Sequence, residues 1–242
     1  MTTDRMSLLL PPLLSDCGMA PLSDAALMAF QSYYELLLEW NSRINLTAIT
    51  AASEVAEKHF LDSLLLAPFV EKHTNGRVID IGTGAGFPGL PLAIAMPTMD
   101  LTLVDALRKR CDFLQLVQNR LQLFRVQVYH DRAETFAASA EHREAYDVCV
   151  ARAVARLPML VEYCLPVLRL GGFLYAAKGP DADDEAEESA RALQELGGAI
   201  VNRTAYTLPC GDARVVLTIE KQHETPQKYP RRPGMAKKKP LL

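Results

Sequence analysis

The chain has 242 residues, 49% of them apolar, enough to bury the core of one sizeable domain, and no apolar run approaches the roughly 18 residues of a membrane span. Its five cysteines are odd in number and form no C-x-x-C pair, which argues against a disulfide framework or a metal site and for reduced thiols in a cytoplasmic protein. The net charge of −3 speaks against nucleic acid until its distribution is read: from Lys221 onward seven Lys or Arg meet a single acid, Glu224.

In chain order, the Leu8-Leu9-Leu10 patch runs into Pro11 and Pro12 with no cleavage site after it, so no signal peptide is expected. Residues 23–41 read as a helix capped by Ser23, with Leu27, Phe30, Tyr34, Leu37 and Leu38 at helical spacing. A second helix is expected over 53–66, with Ser53 as its cap and Glu54 and Glu57 in its first turn. Together they make residues 1–75 an N-terminal helical extension.

After Gly76 the pattern changes. Strand-length apolar runs at 77–81, 101–105, 126–130, 146–151 and 172–177 alternate with helical stretches near 88–96, 107–122, 158–168 and 183–196. Runs without polar alternation suit a parallel sheet covered on both faces, and the alternation predicts a doubly wound α/β core over 76–222. The runs 199–208 and 214–221 are joined by Pro209-Cys210-Gly211-Asp212 with no room for a helix, so they should pair as an antiparallel hairpin. A mostly parallel, Rossmann-like sheet with a C-terminal antiparallel strand looks like the class I S-adenosylmethionine-dependent methyltransferase fold.

The sharpest local signal is the run Val78-Ile79-Asp80-Ile81-Gly82-Thr83-Gly84-Ala85-Gly86-Phe87-Pro88-Gly89, a strand entering a glycine-rich turn and then a helix. Glycines there let the backbone turn tightly and approach a ligand that a Cβ would block. Gly84, Gly86 and Gly89 match the dinucleotide pattern G-x-G-x-x-G, displaced into the loop. Counting from Gly82 the spacing is G-x-G-x-G, which is closer to an adenosylmethionine loop. Asp80 would hold the ammonium of that cofactor and would repel a pyrophosphate. Asp105, ending the second strand, is placed for ribose hydroxyls, which either cofactor requires. Ala133 and Glu134 follow the third strand where adenine usually sits; Glu134 reads equally as a helix-start acid.

Beyond the fourth strand lies Ala151-Arg152-Ala153-Val154-Ala155-Arg156. The Asn/Asp-Pro-Pro-aromatic segment of exocyclic-amine methyltransferases is absent, and Cys149 sits inside an apolar strand as a structural residue rather than a nucleophile. Guanine N7 needs neither base nor nucleophile, because its lone pair lies in the ring plane, and positioning alone suffices. Arg152 or Arg156 can hold the base or a phosphate; otherwise Arg152 pairs with an acid such as Asp80 or Asp105. His59 and Asp62, one turn apart, are read as packing or capping residues, and Trp40 as core. The acidic run 181–188 reads as a solvated helix start that RNA should avoid. The basic tail, 223–242, reads either as an arm for phosphates or as a flexible solubilising segment.

These residues resemble one family over nearly the whole chain, the bacterial 16S rRNA guanine-N7 methyltransferases, also called glucose-inhibited division protein B. The resemblance rests on 39–47 (Glu39-Trp40-Asn41-Ser42-Arg43-Ile44-Asn45-Leu46-Thr47), on 58–63, on 79–89, on 163–178 and on the tail 225–234. It implies methyl transfer from S-adenosylmethionine to N7 of a guanosine in the decoding-region loop of 16S rRNA, free or in a small ribosomal subunit particle, by a metal-free monomer. It implies cofactor contacts at Gly82, Phe87, Asp105, Ala133, Glu134 and Arg152, to which the loop reading adds Asp80 and Gly84, with Arg152 as catalytic residue. Phe87 stands where many members carry another apolar residue, so it should pack on the cofactor. Lys178, Lys228, Arg231 and Arg232 are the candidates for RNA contact. The rival readings are a small-molecule or protein methyltransferase on the same fold, and an NAD-binding oxidoreductase or nucleotide-binding module.

Overall fold

The computed structural model describes residues 5–73 and 76–242, so part of the expected boundary at 75–76 lies outside the described residues. The chain opens with α1 (Met6–Asp16), which buries Met6, Leu10 and Leu14. Pro11 and Pro12 lie inside this helix. The carbonyls facing the missing N–H groups belong to Ser7 and Leu8, both exposed, so solvent can reach them. Helix α2 (Asp24–Ile44) starts as expected, with the Ser23 side chain accepting from the Ala26 amide at 3.2 Å. The expected helix at 53–66 is corrected. It begins one residue earlier, with no side-chain cap, as α3 (Ala52–Glu54), widens into a π-helical stretch (Val55–Leu61), resumes as α4 (Asp62–Leu64), and is followed by α5 (Ala67–Val70).

The remainder alternates strand and helix: β1 (Arg77–Ile81), α6 (Gly89–Ala95), β2 (Asp100–Asp105), α7 (Arg108–Arg120), β3 (Val126–His130), α8 (Ala133–Ala138), β4 (Tyr146–Arg152), α9 (Leu157–Cys164), β5 (Leu168–Lys178), α10 (Ala182–Glu188), α11 (Ala190–Leu196), β6 (Gly198–Thr207) and β7 (Ala213–Lys221). The single helix expected over 183–196 is two helices that break at buried Ser189. Seven strands form one sheet in the order β3-β2-β1-β4-β5-β7-β6. The first five are parallel; β7 runs antiparallel to both β5 and β6, as the hairpin reading requires.

Successive strand residues point to opposite faces, and both faces are dry. Val78, Leu101, Leu103, Val148 and Val150 pack on one side with α1, α2, the π-helical stretch, α6 and α7. Ile79, Ile81, Val104, Cys149 and Ala151 pack on the other with α8, α9 and α11. Burial on both faces is why these strands read as continuous apolar runs. Buried Cys149 has its thiol pushed well above its ordinary value by desolvation, as suits a structural residue.

The tail, 223–242, packs against the body of the domain. Tyr229, Ala236 and Leu241 are buried, Tyr229 and Leu241 among the second face's apolar residues. Arg143 donates to the carbonyls of Thr225 and Tyr229, and the chain ends in a short helix, α12 (Met235–Lys238). Intramolecular acids and carbonyls take up donors that the sequence alone assigns to solvent.

Candidate active site

The strand order reverses between β1 and β4, and a crevice opens there at the carboxyl ends of the strands, where doubly wound sheets bind ligands. The glycine loop forms its floor. Gly82 and Thr83 donate to the Val104 carbonyl, and the Gly84 amide donates to Asp105 Oδ2 at 3.0 Å. Gly82, Gly84 and Gly86 all have positive φ, at 71°, 63° and 100°. A Cβ on Gly89 would stand 2.5 Å from Leu103 and 2.9 Å from Asp80 Oδ2, so this glycine serves helix–strand packing. From the far side, the Tyr33 hydroxyl of α2 donates to the Ala85 carbonyl and ties the N-terminal helices to the loop.

Asp80 lies beneath the loop. It is fully buried and lines neither cavity described below. Its Oδ2 accepts from the Thr83 hydroxyl at 2.7 Å and the Gly89 amide at 2.8 Å, while Oδ1 has no partner among the described residues. Burial pushes its carboxyl up to about 7. Asp80 Oδ2 thereby braces the loop from behind.

Two cavities share the crevice. The smaller, about 300 Å³, is lined by Ile81, Val104, Leu107 and Tyr163, with Asp105, Ala133 and Glu134 at the positions assigned from sequence. Asp105 Oδ1 accepts from the Leu107 amide at 2.8 Å, which fixes the carboxylate at its rim. Glu134 Oε1 accepts from the Gly234 amide of the tail at 2.9 Å, and Oε2 has no other partner among the described residues.

The larger cavity, about 800 Å³, is lined by Gly82, Thr83, Gly84, Phe87, Arg152 and Lys178, and also by Thr47, Lys58, His59 and Asp62 from the N-terminal helices. Gly82, Arg110, Ala153 and Val154 line both cavities and mark their junction. A Cβ on Gly82 would meet Val154 Cγ1 at 2.8 Å, whereas beside Gly84 the nearest other atom is 4.0 Å away, so a ligand can lie against bare backbone there. Ala153 holds a left-handed φ of 56°, a strained geometry that bends the chain away after Arg152.

Arg152 pairs with neither Asp80 nor Asp105. Its Nη1 donates to Asp62 Oδ2 at 2.9 Å and to the Lys58 carbonyl at 3.1 Å, and its guanidinium lies 5.2 Å from the centre of the Phe87 ring. The π-helical stretch explains the partner: it breaks the i→i−4 ladder around Lys58 and His59, so a carbonyl there is open to a guanidinium. Asp62 also accepts from the Tyr206 hydroxyl at 3.0 Å and from Arg214 at 3.4 Å, so three donors converge on it. His59 stacks on Phe87 with centroids 4.5 Å apart, and its Nε2 lies 2.8 Å from Thr47 Oγ1. Burial and the neighbouring Arg152 charge lower its imidazole to about 4, which keeps it neutral. His59 and Asp62 are thus packed, as read, but packed into the cavity wall. Trp40 packs on Phe113 at 5.8 Å, in the core.

The four residues assigned to RNA do not form one surface. Lys178 is nearly buried, donating to Glu185 at 2.8 Å and to the Ala155 carbonyl. Arg231 is clamped by Glu162. Lys228 and Arg232 stay exposed. The acidic run is less solvated than expected, because Glu185 faces the larger cavity. Thr47, Asp62, Arg110 and Arg214 were not singled out for the site. Thr47 and Asp62 lie in segments that carry the family resemblance; Arg110 and Arg214 carry no local signal.

Among the described residues no cluster suits a metal ion, and no helix is long and apolar enough to cross a membrane. The family model for rRNA small subunit methyltransferase G matches residues 26–208. The chain is 47% identical to the ribosomal RNA small subunit methyltransferase G of Desulforamulus reducens, covering 91% of this chain and 92% of that one. It is 48% identical to that of Halalkalibacterium halodurans, covering 91% and 93%. Among solved structures, an O-methyltransferase from Bacillus cereus in complex with SAH superimposes with a TM-score of 0.60 at 16% identity, covering 89% of this chain and 100% of that one, a likeness of fold.

Proposed function

The chain belongs to the rRNA small subunit methyltransferase G family, and from that premise we propose that it transfers a methyl group from S-adenosylmethionine to N7 of a guanosine in the decoding-region loop of 16S rRNA. The observation that carries this reading is the pair of joined cavities: a small one, sized for adenosine, in which apolar Ile81, Val104 and Leu107 lie beside the acids Asp105, Asp131 and Glu134, and a larger, open one that can admit a base. Asp105 and the free oxygen of Glu134 are the acceptors available to a ribose diol and an adenine amino group. The bare backbone at Gly82–Ala85 and the wall of Phe87 receive the methionine part. When bound, the cofactor supplies an electrophilic methyl on a sulfonium.

The choice of N7 rests on what the larger cavity lacks. Its acids are engaged: Asp62 by three donors, Glu185 by Lys178 and by the Leu157 amide at 2.7 Å, and Asp212 by Arg214 at 3.3 Å and Lys58 at 3.9 Å. His59 is a weak base beside a guanidinium. An amine or hydroxyl acceptor would need its proton removed; N7 does not. Arg152, held by Asp62 and the Lys58 carbonyl, is the donor that orients O6 and N7 or a flanking phosphate, so catalysis is by alignment. Exposed Lys228 and Arg232 supply phosphate contacts in this reading, with Lys178 serving the cavity instead.

The test is a methyl-transfer assay with labelled S-adenosylmethionine and small-subunit rRNA lacking the modification, as free RNA and as particles, followed by borohydride and aniline cleavage at 7-methylguanosine. One cleavage in the decoding-region loop is expected. Label without cleavage would overturn the N7 assignment, and no label on either substrate would overturn the RNA reading.

A further inference from the structure

The tail carries a feature that neither the fold nor the proposed reaction requires. Three residues beyond Arg231 it enters the smaller cavity, where Gly234 and Lys237 join the lining. We infer that the segment from Arg231 to Lys238 is a wall of the cofactor's adenosine site, and that the Arg231–Glu162 ion pair is the latch on which cofactor affinity depends; this rests on reading the smaller cavity as the adenosine end.

The latch is built from three bonds. Glu162 accepts from the Arg231 backbone amide at 3.0 Å, from its Nε at 2.9 Å and from its Nη2 at 2.6 Å. The Glu162 side chain is 1% exposed, so an unpaired carboxylate there would be costly and the tail is strongly held. Glu162 precedes Tyr163, which itself lines the cavity, so latch and lining share one turn of α9. From this anchor Gly234, with a φ of 83° that suits glycine, turns its amide onto Glu134 Oε1. That bond consumes one carboxylate oxygen and orients the other toward the cavity. Buried Ala236 holds the next turn down. Without the tail, Glu134 would face solvent and the cavity would lose one side, and with it the enclosure that ligand sites use to strengthen polar contacts.

Two experiments test this. In the intact chain, amide exchange over 231–238 is measured with and without saturating S-adenosylhomocysteine; the ligand is expected to slow it, and unchanged exchange would overturn the inference. In parallel, calorimetric titration with S-adenosylhomocysteine compares Arg231→Ala, Glu162→Gln and a chain ending at Pro233. Each is expected to weaken binding by about tenfold, with the Arg231→Ala/Glu162→Gln double variant no worse than its parents because the two act as one unit. Arg125→Ala, whose pair with Asp100 is remote from the crevice, should bind as wild type. Wild-type affinity in the tail variants, with native melting, would sink the latch. Ala133→Trp, which fills the smaller cavity, separates the two ideas: if it too binds normally, the adenosine reading itself has failed.

Discussion

The two cavities are closed by opposite ends of the chain. Residues 46–62 wall the larger one from one face of the sheet, and residues 234–237 wall the smaller from the other. What they share comes from the strand ends, Gly82 after β1 and Ala153 and Val154 after β4, and from Arg110 of α7. The chemistry differs to match. The larger wall is a network centred on one acid, in which Asp62 collects Arg152, Arg214 and Tyr206; the smaller sets Asp105, Asp131 and Glu134 apart from one another around apolar Ile81, Val104 and Leu107, with Asp105 and Glu134 anchored by backbone amides. The common fold provides the junction, and the segments outside it provide a wall on either side. The family model, which spans 26–208, includes the first wall and ends before the second.

Substitutions should therefore separate by cavity. The largest effect is expected from Arg152→Ala, which should lower methyl transfer by about 10²- to 10³-fold while leaving the binding of adenosine alone unchanged. Equal losses in both would show that the cavities are not separable. Asp62→Asn comes next: it frees Arg152 and Arg214 without emptying the site, and kcat should fall by about 10- to 100-fold through misplacement. Arg152→Lys should not rescue function, because an ammonium cannot reproduce the guanidinium's several donors and its stacking on Phe87. Glu134→Gln acts on the other side. Adenosine and S-adenosylhomocysteine should both bind about five- to tenfold more weakly, with kcat at saturating cofactor nearly intact.

The smallest effect is one of pH on stability. His59 titrates near 4 in the folded chain against 6.5 when free, so stability present above 6.5 is lost as pH falls toward 4. Asp80 titrates near 7 against 3.8, so stability present below 3.8 is lost as pH rises toward 7. Between about 4 and 6.5 the two slopes oppose each other. Asp80→Asn should expose the His59 slope, with the melting temperature rising more steeply over that window than in wild type. Parallel profiles for the two proteins would contradict it.

What was legible in the sequence follows the same division. The sheet, the loop, the hairpin and the acids Asp105 and Glu134 were readable, because each depends on local spacing along a strand or turn. Phe87, expected to pack on the cofactor, lines the larger cavity. Spacing tells where the Asp80 carboxylate stands and not which way it faces; its Oδ2 turns back to Thr83 and Gly89. Arg152 was singled out, yet its partner Asp62 lies 90 residues away and becomes a neighbour only through tertiary packing. The tail showed its charge but not its acceptors, since Glu162 and Glu134 sit in segments with no visible relation to it.

The π-helical stretch at Val55–Leu61 makes the Arg152 clamp a matter of chain length as well as residue identity. Removing one residue there would draw the helix toward ordinary α geometry and leave Asp62 near its present angle, because the lost residue offsets the underwinding, but it would return the carbonyls around Lys58 to the i→i−4 ladder. Every side chain of the clamp would still be encoded, yet Arg152 would lose its backbone acceptor. A single lost codon, with no change to any residue that touches a ligand, would thus loosen the wall of the larger cavity.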